Sequence, residues 1–298
     1  AQRYVIKRGV TLTIRLLNQL ESLRTNLPEN APLLLKELAQ SIQYTIYSSE
    51  LKEVVELYKK EKSPSSYIID KYDYLFRCIH LELIRGLLSH IYILDVCRTA
   101  HRIAISKGFC CRPEMTEAMD LSITGFVHPF TEGGRMNDWK MTNGNNICIL
   151  TGSNMAGKST TLKAITISVW LAHCGLPVPA RSMTSPVFDG IYTSINLPDS
   201  LRDGRSHFMA EILRIKEVLQ KAKSGKRCLI ILDEMFRGTN AQDAFEASIA
   251  VNELLRKYPH CSFLISTHIL EYAKHFEKDN TCCFYYMDSR IEDDQFIC

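Results

Sequence analysis

Two short stretches of this sequence carry the residue types that phosphate chemistry needs. The first, Gly152-Ser153-Asn154-Met155-Ala156-Gly157-Lys158-Ser159-Thr160, contains the G-x-x-x-x-G-K-[ST] spacing of a phosphate-binding loop. Glycines let backbone N–H groups curl around phosphate oxygens, and a helix opening at Lys158 adds a favourable dipole. Lys158 then reaches the β- and γ-phosphates of a nucleoside triphosphate, and the Ser159 hydroxyl ligates Mg2+. The second stretch, Leu229-Ile230-Ile231-Leu232-Asp233-Glu234, lies 75 residues further on, counted from Lys158 to Asp233. Four apolar residues make a buried strand whose end delivers Asp233 to the magnesium through a water. Glu234 sits beside the γ-phosphate, where a carboxylate polarises the attacking water. His268, after the expected strand end at 263–267, can hydrogen-bond the γ-phosphate or position that water. Each feature alone has a bland explanation: a glycine turn, a solvated acidic loop, a packed histidine. Their order within one alternating region favours the catalytic reading.

The elements around these residues change character along the chain. The front third reads helical. Apolar positions at Tyr72, Phe76, Ile79, Leu83, Leu87, Ile91, Leu94 and Cys97 step by three and four, which predicts one helix over about 66–106. Ser65 and Ser66 offer its N-cap and Gly108 its stop. At 1.5 Å per residue such a helix is on the order of 60 Å long. A second helix is expected over about 32–62, preceded by a shorter one. After Gly108 the period shortens. Strands are expected at 121–126, 147–151, 191–195, 228–233, 262–267 and 282–287, with helices at 158–173, 208–223, 242–258 and 270–278. Alternation of this kind implies a largely parallel sheet covered on its faces. The boundary falls near residue 108, giving a helical domain over 1–108 and a sheet domain over 109–298.

Composition excludes several function classes. The 298 residues are 46% hydrophobic and 23% charged, ordinary for a globular protein and unlike a disordered, collagenous or disulfide-scaffolded one. The net charge of +3 implies no partner by itself. Up to Gly108, however, 16 basic residues face 11 acidic ones, an excess that fits an ordinary solvated face and can also meet a polyanion such as DNA. The 11 cysteines form no C-x-x-C pair, and the adjacent pairs Cys110–Cys111 and Cys282–Cys283 cannot both face one metal. Cys148 and Cys228 fall in apolar runs, where a thiol behaves as a small hydrophobe. The reading is a reducing cytoplasm, no thiolate-bound metal and no membrane partner. The most apolar long stretch, 81–96, is interrupted by Glu82, Arg85, Ser89, His90 and Asp95. No signal peptide is evident, and a chain opening on Ala is read as a fragment.

The three elements together resemble an ATPase of the ABC superfamily, in which each site is completed by a second subunit. The transporter loop L-S-G-G-Q is absent, which argues against a transport ATPase. The interval instead holds Asp199-Ser-Leu-Arg-Asp-Gly204-Arg-Ser206-His207-Phe208-Met209-Ala-Glu211. Here the sequence resembles the MutS DNA mismatch-repair family. The family phosphate loop T-G-P-N-M-G-G-K-S-T stands against Thr151 to Thr160, and its S-T-F-M-x-E-M loop against Ser206-His-Phe208-Met209-Ala-Glu211-Ile. Its G-R-G-T-[ST] run stands against Phe236-Arg237-Gly238-Thr239-Asn240. Cys174-Gly175-Leu-Pro177-Val178-Pro179-Ala180 and the pairs His128-Pro129 and Asn137-Asp138 also match the family pattern. The resemblance spans about 170 residues, roughly 121–287. For the helices before it the likeness, to a core and lever region, is architectural only.

The resemblance implies an α/β, P-loop NTPase (ABC-ATPase-like) sheet domain preceded by an all-helical domain of long helices. It implies a Mg2+-dependent ATPase with composite sites in a homodimer, holding duplex DNA, mismatched or branched, in a clamp set by nucleotide state. A MutL-like partner belongs to the same picture. Asn154 then contacts the γ-phosphate or its water, Ser206 acts in trans on the partner's nucleotide, and Arg237 to Asn240 lie at the dimer interface. Two alternatives stand beside it: a mismatch-blind relative acting on recombining DNA, and a nucleotide-gated binding module with little turnover. Departures are visible. Ala156 replaces a family glycine, acceptable only where the backbone needs no positive φ. Ser153 replaces proline. Nothing corresponds to the mismatch-reading domain with its Phe-x-Glu wedge; Phe130-Thr131-Glu132 spells that tripeptide in a position unsuited to it. The family's C-terminal dimerising helices find no counterpart in residues 1–298 either, and the chain is read as a truncated or shortened relative.

Overall fold

The computed structural model describes all residues except 1, 24–25, 61–64, 110, 132, 196–206, 237–238, 289, 293–294 and 298. The chain divides into two compact units, Ala1–Thr99 and Ala100–Cys298.

The described part of the first unit is helical: α1 (Gln2–Glu21), α2 (Leu33–Tyr47), α3 (Leu51–Lys60), α4 (Ser66–Tyr74), a π-turn at Leu75–Ile79 and the start of α5 (Leu81–Lys107). Its core joins Ile14 and Leu17 of α1, Ile42 and Ile46 of α2, Val54 of α3 and Tyr72 of α4, all nearly or fully buried. The expected helix over 32–62 is two helices. Ser49 breaks it: its hydroxyl donates to the Thr45 carbonyl at 2.9 Å and accepts from Leu51 N at 3.4 Å, competing with the helical ladder. The helix expected over 66–106 is also corrected. It begins at the Ser65 cap, whose side chain accepts from Ile68 N, and ends before Gly108 at φ +72. It is interrupted at the π-turn, where His80 N bonds Leu75 O at 2.8 Å and the His80 ring meets Glu50 at 2.9 Å. The extra residue rotates the apolar stripe out of phase. Phe76 and Leu87 are buried, whereas Ile79 and Leu83 are 52% and 37% exposed.

The second unit is α/β, with one parallel and one mixed sheet. The parallel sheet has the order β6-β7-β8-β4-β9, with β4 Ile147–Gly152, β6 Gly190–Ser194, β7 Cys228–Asp233, β8 Ser262–Ser266 and β9 Cys282–Met287. Its central strands are continuously buried, as strands covered on both faces must be. Alternate residues enter two cores. Cys148, Leu150, Leu229, Ile231 and Leu264 pack toward α6 (Lys158–His173) and the mixed sheet. Ile149, Ile230, Leu232, Phe263 and Ile265 pack toward α7 (His207–Lys223), α8 (Ala241–Leu255) and α9 (Leu270–His275). The mixed sheet, order β1-β5-β2-β3, comprises β1 Glu114–Thr116, β2 Leu121–Phe126, β3 Asn137–Met141 and β5 Ser182–Pro186. Of these only β2 is evident in the sequence. The others are short and polar, and in β3 only Trp139 and Met141 are buried. Strands β10 Arg290–Glu292 and β11 Gln295–Ile297 pair antiparallel. No described helix is long and apolar enough to cross a membrane. Cys148 and Cys228 are buried, at 0% and 1% exposed.

Candidate functional site

Three strand ends of the parallel sheet, β4, β7 and β8, carry the residues singled out above. Strand β4 ends at Gly152 with φ +149, and a Cβ there would lie 2.5 Å from the Met287 carbonyl oxygen of β9. Only glycine lets the two strand ends pass this closely. The chain then turns through Ser153, Asn154 and Met155 and enters α6 at Lys158. Met155 and Gly157 have left-handed φ of +66 and +87. Ala156 between them does not, so the alanine replacing a family glycine carries no backbone strain, and it is packed at 1% exposed. Alternation of this kind turns successive N–H groups toward one concavity.

Ser153, Asn154 and Met155 are exposed on the crest of this loop, Ser159 is half-buried and Thr160 is exposed on α6. Lys158 is buried, 4% exposed, and its ammonium donates to the carbonyls of Gly152 and Ser153, each at 2.9 Å. Its Nζ also lies 3.6 Å from Oε1 of Glu234. The other Glu234 oxygen, Oε2, is 3.6 Å from Nδ1 of His268, whose side chain is about half exposed. Glu234 itself sits in the left-handed region, φ +49. This turn at the end of β7 brings its carboxylate, 11% exposed, between the lysine and the histidine. A buried ammonium needs such a partner, since an isolated charge is costly away from water.

Asp233 behaves differently. The Ser266 hydroxyl donates to its Oδ1, while Oδ2 is buried with no hydrogen-bond partner. An orphaned carboxylate oxygen is expensive to bury and fits an incoming cation. Among the described residues no group of three or more His, Cys, Asp or Glu side chains forms an all-protein metal cage. One carboxylate together with a hydroxyl and substrate phosphates is the donor set that suits Mg2+.

A pocket opens beside the loop between β3, α6 and β9, lined by Asp138, Trp139, Leu150, Thr161, Tyr286 and Met287 among others. Trp139 stacks on Tyr285 with ring centroids 4.4 Å apart. Burial pushes the Tyr285 phenol up, the Lys140 N–H opposing it.

Lys158, Glu234 and His268 are therefore brought together, with Asp233 adjacent to Glu234 in the chain. Ser206, Arg237 and Gly238 lie outside the described residues, as does Glu132 of the Phe130-Thr131-Glu132 tripeptide. Phe130 is 85% exposed. Asn240 caps α8, its side chain accepting from Asp243 N at 2.9 Å. Sequence reasoning missed Ser266, Trp139 and Tyr285. The run Ser266-Thr267-His268 at a strand end held the only signal for the serine.

Residues 148–298 match the family model of MutS domain V. The DNA mismatch repair protein MutS of Granulibacter bethesdensis is 37% identical over 189 residues, 61% of this chain and 20% of that protein. MutS of Petrotoga mobilis is 29% identical over 253 residues, covering 82% of the chain and 29% of the relative. The DNA mismatch repair protein msh3 of Botryotinia fuckeliana is 33% identical over 210 residues, 67% and 18% of the two chains. The chain thus spans between about a fifth and three-tenths of the length of these relatives.

Proposed function

The chain belongs to the MutS family, and from that premise we propose that it is a Mg2+-dependent ATPase of the P-loop class acting on DNA in mismatch repair. The observation that carries the reading is the meeting of Lys158, Glu234 and His268 at 3.6 Å, next to an Asp233 oxygen buried without a partner. In this reading residues 152–160 cradle the triphosphate through backbone N–H groups. Lys158 exchanges its two carbonyl contacts for phosphate oxygens, and Asn154 contacts the γ-phosphate or its water. Asp233 and Ser159 hold Mg2+, which when bound neutralises charge on the β- and γ-phosphates. Glu234, released from Lys158, accepts a proton from the attacking water while His268 orients it. Asp138 and the aromatic residues of the neighbouring pocket receive the nucleoside.

Ser206, reaching across a homodimer, completes the partner's site, with Arg237 to Asn240 at the interface. DNA is the macromolecular partner, by the names of the relatives, and a MutL-like protein the downstream one. Its compartment is the cytoplasm. The helical elements of residues 1–108 form a domain distinct from the ATPase of 109–298.

The test is ATP turnover measured against protein concentration without DNA and with matched duplex, mismatched duplex or a four-way junction. A specific rate that rises with protein concentration and most steeply with mismatched duplex is expected. Steepest stimulation by the junction favours the branched-DNA relative instead. Tight ATP binding without turnover in any arm makes the chain a nucleotide-gated binder, and no binding at all removes the proposal.

A further inference from the structure

We propose that Ser266 is a positioning residue of this site: its single hydroxyl aims the Asp233 carboxylate at the divalent cation and anchors the turn that carries Glu234. The proposal rests on the nucleotide-site reading above.

Ser266 closes β8 and is fully buried. Parallel register sets it directly across from Asp233 on β7. Its hydroxyl donates to Asp233 Oδ1 and accepts from the Glu234 N–H at 3.0 Å. The Ser266 carbonyl accepts the same N–H at 3.1 Å. A hydroxyl has one proton and two lone pairs. With the proton committed to Asp233, the rotor is fixed and a lone pair faces Glu234.

Two consequences follow from that one orientation. Asp233 has Oδ1 satisfied from within the protein, so the buried and unpartnered Oδ2 is the oxygen left for a cation. Glu234, at φ +49, occupies a region that a non-glycine residue holds only when its surroundings enforce it. The bond from its N–H to Ser266 is the first restraint after β7 ends. One serine therefore couples the cation ligand to the carboxylate facing Lys158 and His268. Glycine or alanine at this position removes the hydroxyl bonds while leaving the strand pairing intact.

The test uses the full 298-residue chain as Ser266→Ala and Ser266→Thr variants. Mn2+ is titrated in the presence of ATP and followed by electron paramagnetic resonance, alongside binding of a fluorescent ATP analogue in EDTA, thermal unfolding, and kcat and KM. For Ser266→Ala the half-saturating Mn2+ concentration should rise about tenfold, the scale of losing a residue that orients a metal ligand. Turnover should fall through kcat rather than KM, with metal-free nucleotide binding and the unfolding midpoint little changed. Threonine, which keeps the hydroxyl, should restore the Mn2+ titration. A Ser266→Ala titration that superimposes on the unmodified protein overturns the assignment, as does a threonine variant no better than alanine. An unmodified protein that binds no Mn2+·ATP overturns the nucleotide-site reading itself.

Discussion

Lys158 satisfies its ammonium within the chain, through two carbonyls at 2.9 Å and the Glu234 carboxylate at 3.6 Å. In the proposed function a triphosphate competes for those same protons, which would make the lysine both a phosphate ligand and the internal plug of the site. Lys158→Ala should cost on the order of 2–3 kcal/mol of ATP affinity, the scale of charge-assisted hydrogen bonds. Equilibrium binding that gives an unchanged dissociation constant would remove the lysine from the site. Glu234→Gln keeps the shape of the side chain and removes the proton acceptor. It should bind ATP yet turn over about 100-fold or more slowly, with light scattering reporting a trapped dimer. Gly152→Ala tests the backbone rather than the chemistry. Its Cβ would meet the Met287 carbonyl oxygen at 2.5 Å, so the thermal midpoint should drop on the order of 5 °C. The residues now gathered around Glu234 were readable from the sequence because motif spacing and strand ends name them together. Ser266 was not, because a serine after an apolar run is common, and its partnership with Asp233 exists only through the β7–β8 register.

At the scale of elements, reading worked where one period governed a whole segment and failed where side chains intervened. Helix α6 has the boundaries its sequence predicts, opened by the left-handed Gly157. Strands β4, β7, β8 and β9 lie within a residue of expectation at each end. Two long helices were instead divided, one by the hydroxyl of Ser49 and one by a five-residue π-turn, and neither leaves a mark in apolar spacing. The loop before β9 depends on Asp279. Burial pushes its carboxyl up, but the Thr281 N–H and hydroxyl together with Arg256 outweigh this and hold it below the ordinary carboxylate range. Its folded pKa lies under the unfolded one, so the associated stability is present at neutral pH and lost as pH falls through the folded value. Asp279→Asn should therefore flatten the acid side of a plot of urea midpoint against pH, below about pH 4. A second check on element ends is Asn240→Ala. It removes the cap of α8 and should cost about 1 kcal/mol in chemical denaturation.

The whole molecule is expected to work in pairs. If Ser206 serves the opposite nucleotide, mixing Ser206→Ala with Lys158→Ala subunits should restore about one working site per heterodimer. No recovered turnover at any mixing ratio would place both residues in one subunit's site. The chain order of the parallel sheet bears on how such a protein comes to exist. Among the described residues strand β4, which leads into the loop at 152–157, pairs with β8 and β9, so Ile147 waits for Phe263 and Cys282. At about 5–20 residues per second, a ribosome needs on the order of ten seconds to make that interval. During that time a strand that is buried at every position in the finished fold has emerged with neither neighbour to join. Nascent-chain survival, rather than the stability of the finished fold, is then where mutations in β8 and β9 should first be felt, as dependence on a chaperone that shields an unpaired strand.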